Sequence, residues 1–136
     1  MLKAARIGAV VPITNLERGI EFYGQTLGLG EPERDEMPQN PGARFNIGGG
    51  GELYIYESVG AGQSRHTLCA FEVEDIEGEV DDLRSRGVSI EEYDMPGMKT
   101  ENGILDLGSG IKAAFFKDPD GNILGLGQRV QVGATA

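Results

Sequence analysis

Apolar residues recur along this chain with two alternating periods, and the whole pattern is repeated. Ile7 to Ile13 is a short β-prone apolar run and predicts a first strand. Thr14-Asn15-Leu16-Glu17 follows as a capping box, in which the Thr14 hydroxyl bonds the Glu17 amide and the Glu17 carboxylate reaches back. Leu16, Ile20, Tyr23 and Leu27 then fall on one stripe of an amphipathic helix that Gly28 ends. A short strand at Leu29 to Glu31 leads into a proline-containing loop over 31–43. Strands at Ala43 to Ile47 and Glu52 to Tyr56 flank the turn Gly48-Gly49-Gly50-Gly51. Ser58 to Arg65 is polar and Gly-rich and reads as a linker.

From there the pattern restarts. Leu68 to Val73 is a strand; Asp75 caps a helix that turns Ile76, Val80 and Leu83 to one face, with Arg84 and Arg86 near its C-terminal end. Gly87 ends that helix, Val88 to Ile90 reads as a strand, and residues 91–104 read as a loop. At an offset of 60, Val10 meets Ala70, Ile13 meets Val73, Asn15-Leu16-Glu17 meets Asp75-Ile76-Glu77, and Ile20 meets Val80. The expected architecture is α+β, with two tandem βαβββ modules. Module one covers about 5–57, the linker 58–65, module two about 66–128, and 129–136 is a frayed tail. Neither module is large enough to be comfortably stable alone. Side by side they make a curved, roughly eight-stranded sheet around a concave cavity, the kind of face that takes ligands.

The last segment, Ala113 to Gln128, sets two apolar runs around Asp118-Pro119-Asp120-Gly121-Asn122. Pro119 fixes φ in the turn, Asp118 accepts hydrogen bonds from the following amides, and Gly121 and Asn122 tolerate positive φ, so the stretch reads as a β-hairpin. F-x-D-P-D-G-N before an apolar strand, joined to the repeated module, resembles the vicinal-oxygen-chelate superfamily of glyoxalase I, the bleomycin-resistance proteins and the extradiol dioxygenases. The resemblance runs from Ile7 to Gln128 and implies the same paired-module fold.

Composition narrows the partners. The chain has 136 residues, 22 acidic against 12 basic, for a net charge of −10. That argues against nucleic acid or an anionic membrane. It is compatible with a cationic ligand, although acidic surfaces mostly keep proteins soluble. No membrane span or signal peptide is evident, and the single Cys69 can form no intrachain disulfide, so a cytoplasmic location is expected.

The resemblance implies a metal centre with ligands on the first and last strands of each module. Carried over residue by residue, those positions fall on Gly8, Tyr54, Leu68 and Gly125. None is a carboxylate, imidazole or thiolate, so no metal or other cofactor is expected. His66, the one imidazole, lies two residues before Leu68 and could share its face; its more ordinary role is a rim hydrogen bond. Glu52 is a conceivable displaced ligand and Glu72 a conceivable general base, but the more ordinary reading of each is a solvated strand-end carboxylate. Cys69 alternates to the helix-covered face as a small core residue. Asp118 and Asp120 are assigned to the turn.

What remains is an apolar and aromatic lining. Strand alternation gives Gly8, Val10, Tyr54, Tyr56, Leu68, Ala70, Ile123 and Gly125, with one of Phe115 and Phe116, between which the sequence does not choose. Phe45, Tyr93, Met95 and Met98 are placed at the rim, and Gly8 and Gly125 argue for room. Tyrosine and methionine suit an organic ligand. The expected function is metal-free binding of a small organic molecule, in the manner of the bleomycin-resistance branch. The alternatives are a glyoxalase- or dioxygenase-type metalloenzyme, or a metal-independent isomerase or lyase using Glu72 or His66. The resemblance also implies a homodimer.

Overall fold

The computed structural model describes residues 1–35, 39 and 41–129; the tail beyond Arg129 lies outside them. By their contacts the residues divide into two compact units. Among the described residues the first is Met1–Ser64 with Pro119–Asn122, and the second is Arg65–Asp118 with 123–129.

In the first unit β1 (Ala9–Ile13), β2 (Glu33–Asp35), β3 (Gly42–Asn46) and β4 (Glu52–Glu57) form a four-stranded sheet in the order β1-β4-β3-β2. β1 runs parallel to β4, and the other pairs are antiparallel. Burial follows the strand period. Val11 and Ile13 on β1, Ala43 and Phe45 on β3, and Leu53 and Ile55 on β4 are all but inaccessible, and Tyr23 joins them from the helix. Val10, Arg44, Tyr54 and Tyr56 alternate to the opposite, open face.

The first helix departs from its sequence reading. α1 spans Leu16–Ile20 and continues as a π-helical segment over Glu21–Thr26, with the Leu27 amide bonded to the Phe22 carbonyl at 2.8 Å. The wider turn rotates the stripe, so Tyr23 is buried while Leu16, Ile20 and Leu27 are only partly covered. Gly19 and Gly24 take the closest positions: a Cβ at residue 19 would stand 3.1 Å from the tips of Ile13 and Ile55, and one at residue 24 would stand 2.8 Å from the Gly30 carbonyl oxygen. The Thr14–Glu17 capping box does not form. Asn15 is the cap, accepting from the Arg18 amide at 3.0 Å, and the Glu17 carboxylate pairs with Arg34. Thr14 instead donates its amide and hydroxyl to Asp120.

The predicted strand at Leu29 to Glu31 is displaced to Glu33–Asp35. Gly28 and Gly30 both take positive φ, and the amides of Leu29 and Gly30 return to the carbonyls of Tyr23 and Gly24, closing the helix.

The second unit repeats the topology. β5 (Thr67–Glu72), β8 (Leu105–Asp106), β9 (Lys112–Lys117) and β10 (Ile123–Gln128) pair in the order β5-β10-β9-β8. α2 (Ile76–Ser85) is capped by Asp75, which accepts from the Gly78 amide at 3.2 Å, and buries Ile76, Val80 and Leu83 as its spacing predicts. Asp75 lies 60 residues after Asn15, so the two modules cap their helices at equivalent positions. Their core partners are Ala114, Phe116, Leu124 and Leu126 on the sheet.

Val88 to Ile90 is not a strand; it contributes a single bridge, Ile90 to Phe116. The expected 91–104 loop contains a small ribbon, β6 (Asp94–Met95) with β7 (Met98–Lys99). Within the D-P-D-G-N turn only Gly121 has positive φ; Asn122 is fully buried and belongs to the first unit's hydrogen bonding.

The α+β class and the repeated module are thus as the sequence indicates, with eight strands in two four-stranded sheets.

Candidate functional site

Each sheet buries one face under its helix and leaves the other open, and most of the residues expected to line a site lie on the open faces. On sheet one, β1 and β4 run parallel with Val10 beside Tyr54 and Pro12 beside Tyr56, which brings Val10, Tyr54 and Tyr56 to one surface. Val10 is 60% exposed, unusual for a valine in a strand. The two tyrosine rings are near-parallel, 13° apart in plane with centroids separated by 6.3 Å.

Tyr54 is held in place. Its hydroxyl donates to the Asp35 carboxylate on β2 at 2.6 Å, reaching across β3 above Gly42. A Cβ on Gly42 would overlap that oxygen, so only glycine leaves the path clear. The hydrogen bond to Asp35, then burial, then the Asp35 charge hold the Tyr54 phenol above its ordinary pKa, so the group stays protonated.

Arg44, directly across from Tyr54 on β3, places its guanidinium 5.4 Å from the Tyr54 ring centre and pairs through Nε with Glu52 at 3.0 Å. Asp35, Gly42 and Arg44 complete the surroundings of Tyr54 and are positions that the sequence reading misses. The available signal is the parity of Gly42 and Arg44 with Tyr54 and Tyr56, which needs the strand register to read.

Phe45 is a correction: it is 1% exposed and packs in the core with its ring 6.4 Å from Tyr23, because its parity follows Leu53 and not Tyr54. Gly8 does not provide free room either. A Cβ there would sit 3.2 Å from the Glu52 carbonyl oxygen, so its bareness serves strand packing.

On sheet two, Gly125 lies between Ala70 and Phe115, and these three face away from α2. The choice between the adjacent phenylalanines is settled by register: Phe116 pairs with Leu124 and is buried, whereas Phe115 is half-buried with the Tyr93 ring edge-on at 5.8 Å. β5 carries a register shift at its start, so Ile123 pairs with Thr67 and Leu124 with Cys69, leaving Leu68 unpaired. The Thr67 methyl consequently lies 3.3 Å from where a Gly125 Cβ would be, and the space expected beside Gly125 is filled by Thr67 and Ala70. Met95 sits on the β6–β7 ribbon, opposite Met98 and 50% exposed.

The alternative chemical groups have ordinary surroundings. His66 is exposed, with Nδ1 3.0 Å from the Thr67 carbonyl. Glu72 is exposed at the end of β5, opposite Gly127. Cys69 is turned toward the core opposite Leu124, and burial, with the nearby Asp118 charge, pushes its thiol up to about 11. Asp120 does more than shape the turn: it accepts from Thr14 and from Arg18 Nη2, the latter at 2.6 Å. A cleft of about 430 Å³ lies in the first unit, lined by Thr14, Gln39, Pro41, Glu57, Ser58 and Val59, none of them among the expected binding residues. Its one carboxylate, Glu57, accepts from the Leu16 amide at 2.9 Å.

Among the described residues, no three of His, Cys, Asp and Glu converge as a metal site. Of the four positions the family resemblance assigns to metal ligands, only Tyr54 has a side-chain oxygen, and that oxygen is committed to Asp35 as a donor. These four positions therefore do not supply a metal-ligand set.

Two βαβββ units, each with its helix on one face of its own sheet and the other face open, define a duplicated-module α+β protein. The sequence model of the Glyoxalase/Bleomycin resistance protein/Dioxygenase superfamily matches residues 6–126, and the chain belongs to that superfamily. Solved structures agree in fold. The glyoxalase family protein from Enterococcus faecalis matches with a TM-score of 0.70 at 24% identity, covering 93% of this chain and 99% of that one. TnmS3, an antibiotic binding protein from Streptomyces sp. CB03234, matches at 0.68 and 22%, covering 93% and 98%. A glyoxalase/bleomycin resistance protein from Catenulispora acidiphila matches at 0.65 and 22%, covering 92% and 98%. No significant match was found among curated proteins.

Proposed function

We propose that this protein binds a small organic molecule through the open faces of its sheets, without a metal, in a sequestering or resistance-like role. The observation that carries the reading is Tyr54. At a position where metal-dependent relatives are expected to place a ligand, this chain has a phenol fixed as a donor to Asp35 and lying beside a second, near-parallel ring. The phenol faces and Val10 on the first sheet, and Phe115 and Ala70 on the second, each offer dispersion and stacking surface to a flat or irregular ligand. The antibiotic-binding relative supports the reading by analogy of fold. A homodimer in the cytoplasm is part of the proposal; among the described residues no helix is long and apolar enough to cross a membrane.

The test is elemental analysis of the purified protein by mass spectrometry, with melting curves in the presence and absence of Ni²⁺, Zn²⁺, Mn²⁺ and Fe²⁺. A ligand present at a hundredfold above its Kd and bound only by the folded state stabilises by about 2.7 kcal/mol, which a melting curve resolves readily. The expected result is no copurified metal and no shift. A metal near one per chain, or a sharp shift with one ion, overturns the proposal and directs attention to Glu52, His66 and Glu72.

A further inference from the structure

The open face of sheet one holds a cation whose hydrogen-bonding capacity is only part used. Arg44 Nε meets Glu52 at 3.0 Å, and its guanidinium lies 5.4 Å from the Tyr54 ring centre. Its two terminal nitrogens have no hydrogen bond to any described residue. A guanidinium carries five N–H donors in a planar fork, four of them on the two terminal nitrogens.

We infer that Arg44 determines ligand specificity on this face, reading a single oxygen-bearing anionic group attached to a planar ring that lies against Tyr54 and Tyr56. The inference rests on the ligand-binding role proposed above and adds the chemical class. The fork is oriented before any ligand arrives: Glu52 fixes Nε, and the Tyr54 ring beneath is fixed by Asp35 at 2.6 Å over Gly42. Little side-chain freedom is left to lose on binding, which favours a bidentate contact to an oxyanion.

A cationic ligand is less well served. The carboxylates of Asp35 and Glu52 are already engaged, the first by the Tyr54 hydroxyl and the second by its ion pair with Arg44, and a cation would compete with both. Glu33, exposed and in register with Arg44 on β2, and Glu52 weaken the local positive field. One anionic group at short range therefore fits better than a polyanion. Asp35 and Gly42 act through Tyr54 and are positioning residues.

The experiment compares two fluorescent dyes with one ring skeleton, 8-anilinonaphthalene-1-sulfonate and N-phenyl-1-naphthylamine, which lacks the sulfonate. Titrations use the full-length protein and its Arg44→Gln, Arg44→Lys and Glu52→Gln variants, with circular dichroism confirming that each is folded. The sulfonate is expected to bind the unaltered protein about tenfold tighter than the neutral dye, the scale of one good charge-assisted contact. Arg44→Gln should abolish that preference and leave the neutral dye within about twofold, with Arg44→Lys intermediate because a point charge replaces the fork. Glu52→Gln should tighten the sulfonate. Equal binding of the two dyes by the unaltered protein, a preference that survives Arg44→Gln, or equal loss of both dyes in that variant would each overturn the role of Arg44 while leaving organic-ligand binding intact. Failure of both dyes to bind the unaltered protein would overturn the binding reading itself, and the inference with it.

Discussion

The side-chain amide of Asn122 donates to the backbone carbonyl of Pro12 at 2.7 Å, joining positions 110 residues apart in the chain. Asn122 is fully buried, and its oxygen accepts from the Gly62 amide at 3.0 Å. The residue that looks in sequence like the last member of a turn is thus a polar tie inside the first unit. Replacing it with leucine takes the side-chain partner from a part-buried carbonyl and a part-buried amide, at up to about 1–3 kcal/mol for each group left unsatisfied. Asn122→Leu should lower the melting temperature by several degrees, and Asn122→Asp should do so too, because it turns an acceptor toward the Pro12 carbonyl. Urea unfolding of both variants checks this; a stable leucine variant would show that the tie contributes nothing.

The two buried glycines of the first helix should respond differently to alanine. Helix propensity favours alanine by about 1 kcal/mol at each position. At Gly19 the new methyl meets two flexible isoleucine tips at 3.1 Å, which can yield. At Gly24 it meets the Gly30 carbonyl oxygen at 2.8 Å, which is backbone and fixed by its place after the helix. Overpacking costs about 1–3 kcal/mol. Gly24→Ala should therefore be clearly destabilising, and Gly19→Ala closer to neutral, in parallel denaturant melts. The reverse order would mean that the Gly30 loop moves more easily than the isoleucines.

Tyr54 makes a prediction in pH. Its phenol is held above the ordinary range chiefly by the hydrogen bond to Asp35, so the folded state binds that proton more tightly than the unfolded chain does. The associated stability is complete below pH 10, the ordinary phenol value, and is lost as pH rises through the folded pKa. Absorbance titration at alkaline pH should show Asp35→Ala lowering the pKa of one of the four tyrosines. Gly42→Ala should have the same effect by forcing the ring aside. If neither substitution moves a tyrosine titration, the Asp35 contact is not maintained in solution.

Cys69 should be chemically silent in the native protein. Burial raises its thiol to about 11 from an ordinary 9.0, so almost no thiolate exists at pH 8. The sign is the same as for Tyr54, with any stabilisation present below pH 9 and lost on the way to about 11. An aromatic disulfide reagent at pH 8 should react slowly with folded protein and promptly in denaturant. Prompt reaction in native buffer would place Cys69 at the surface.

Elements that carry one strong local signal are legible in the residues alone. α2 has an Asp cap, an apolar stripe at Ile76, Val80 and Leu83, and a Gly87 stop, and the helix forms between those marks. The 60-residue repeat predicts two modules of one topology, and the strand orders β1-β4-β3-β2 and β5-β10-β9-β8 agree. α1 misleads because two caps are available side by side. Thr14 is withdrawn from capping by Asp120, a residue far along the sequence, and Asn15 takes its place. Phe45 misleads because its parity can be assigned only once β3 is paired with β4.

By itself the sequence determined the α+β class, the duplicated module, the hairpin around Asp118 to Asn122, and the residue types at Gly8, Tyr54, Leu68 and Gly125, the positions that the family resemblance assigns to metal ligands. These follow from local periodicity, turn chemistry and residue type, which need no partner strand. Only the tertiary structure decided that Phe115 and not Phe116 is on the open face, that Thr67 fills the space at Gly125, and that Asp35, Gly42 and Arg44 surround Tyr54. Each of those depends on register between strands distant in sequence. A shift of one residue reverses every side chain on a strand, so the chemistry of an open face is set by pairing and not by composition.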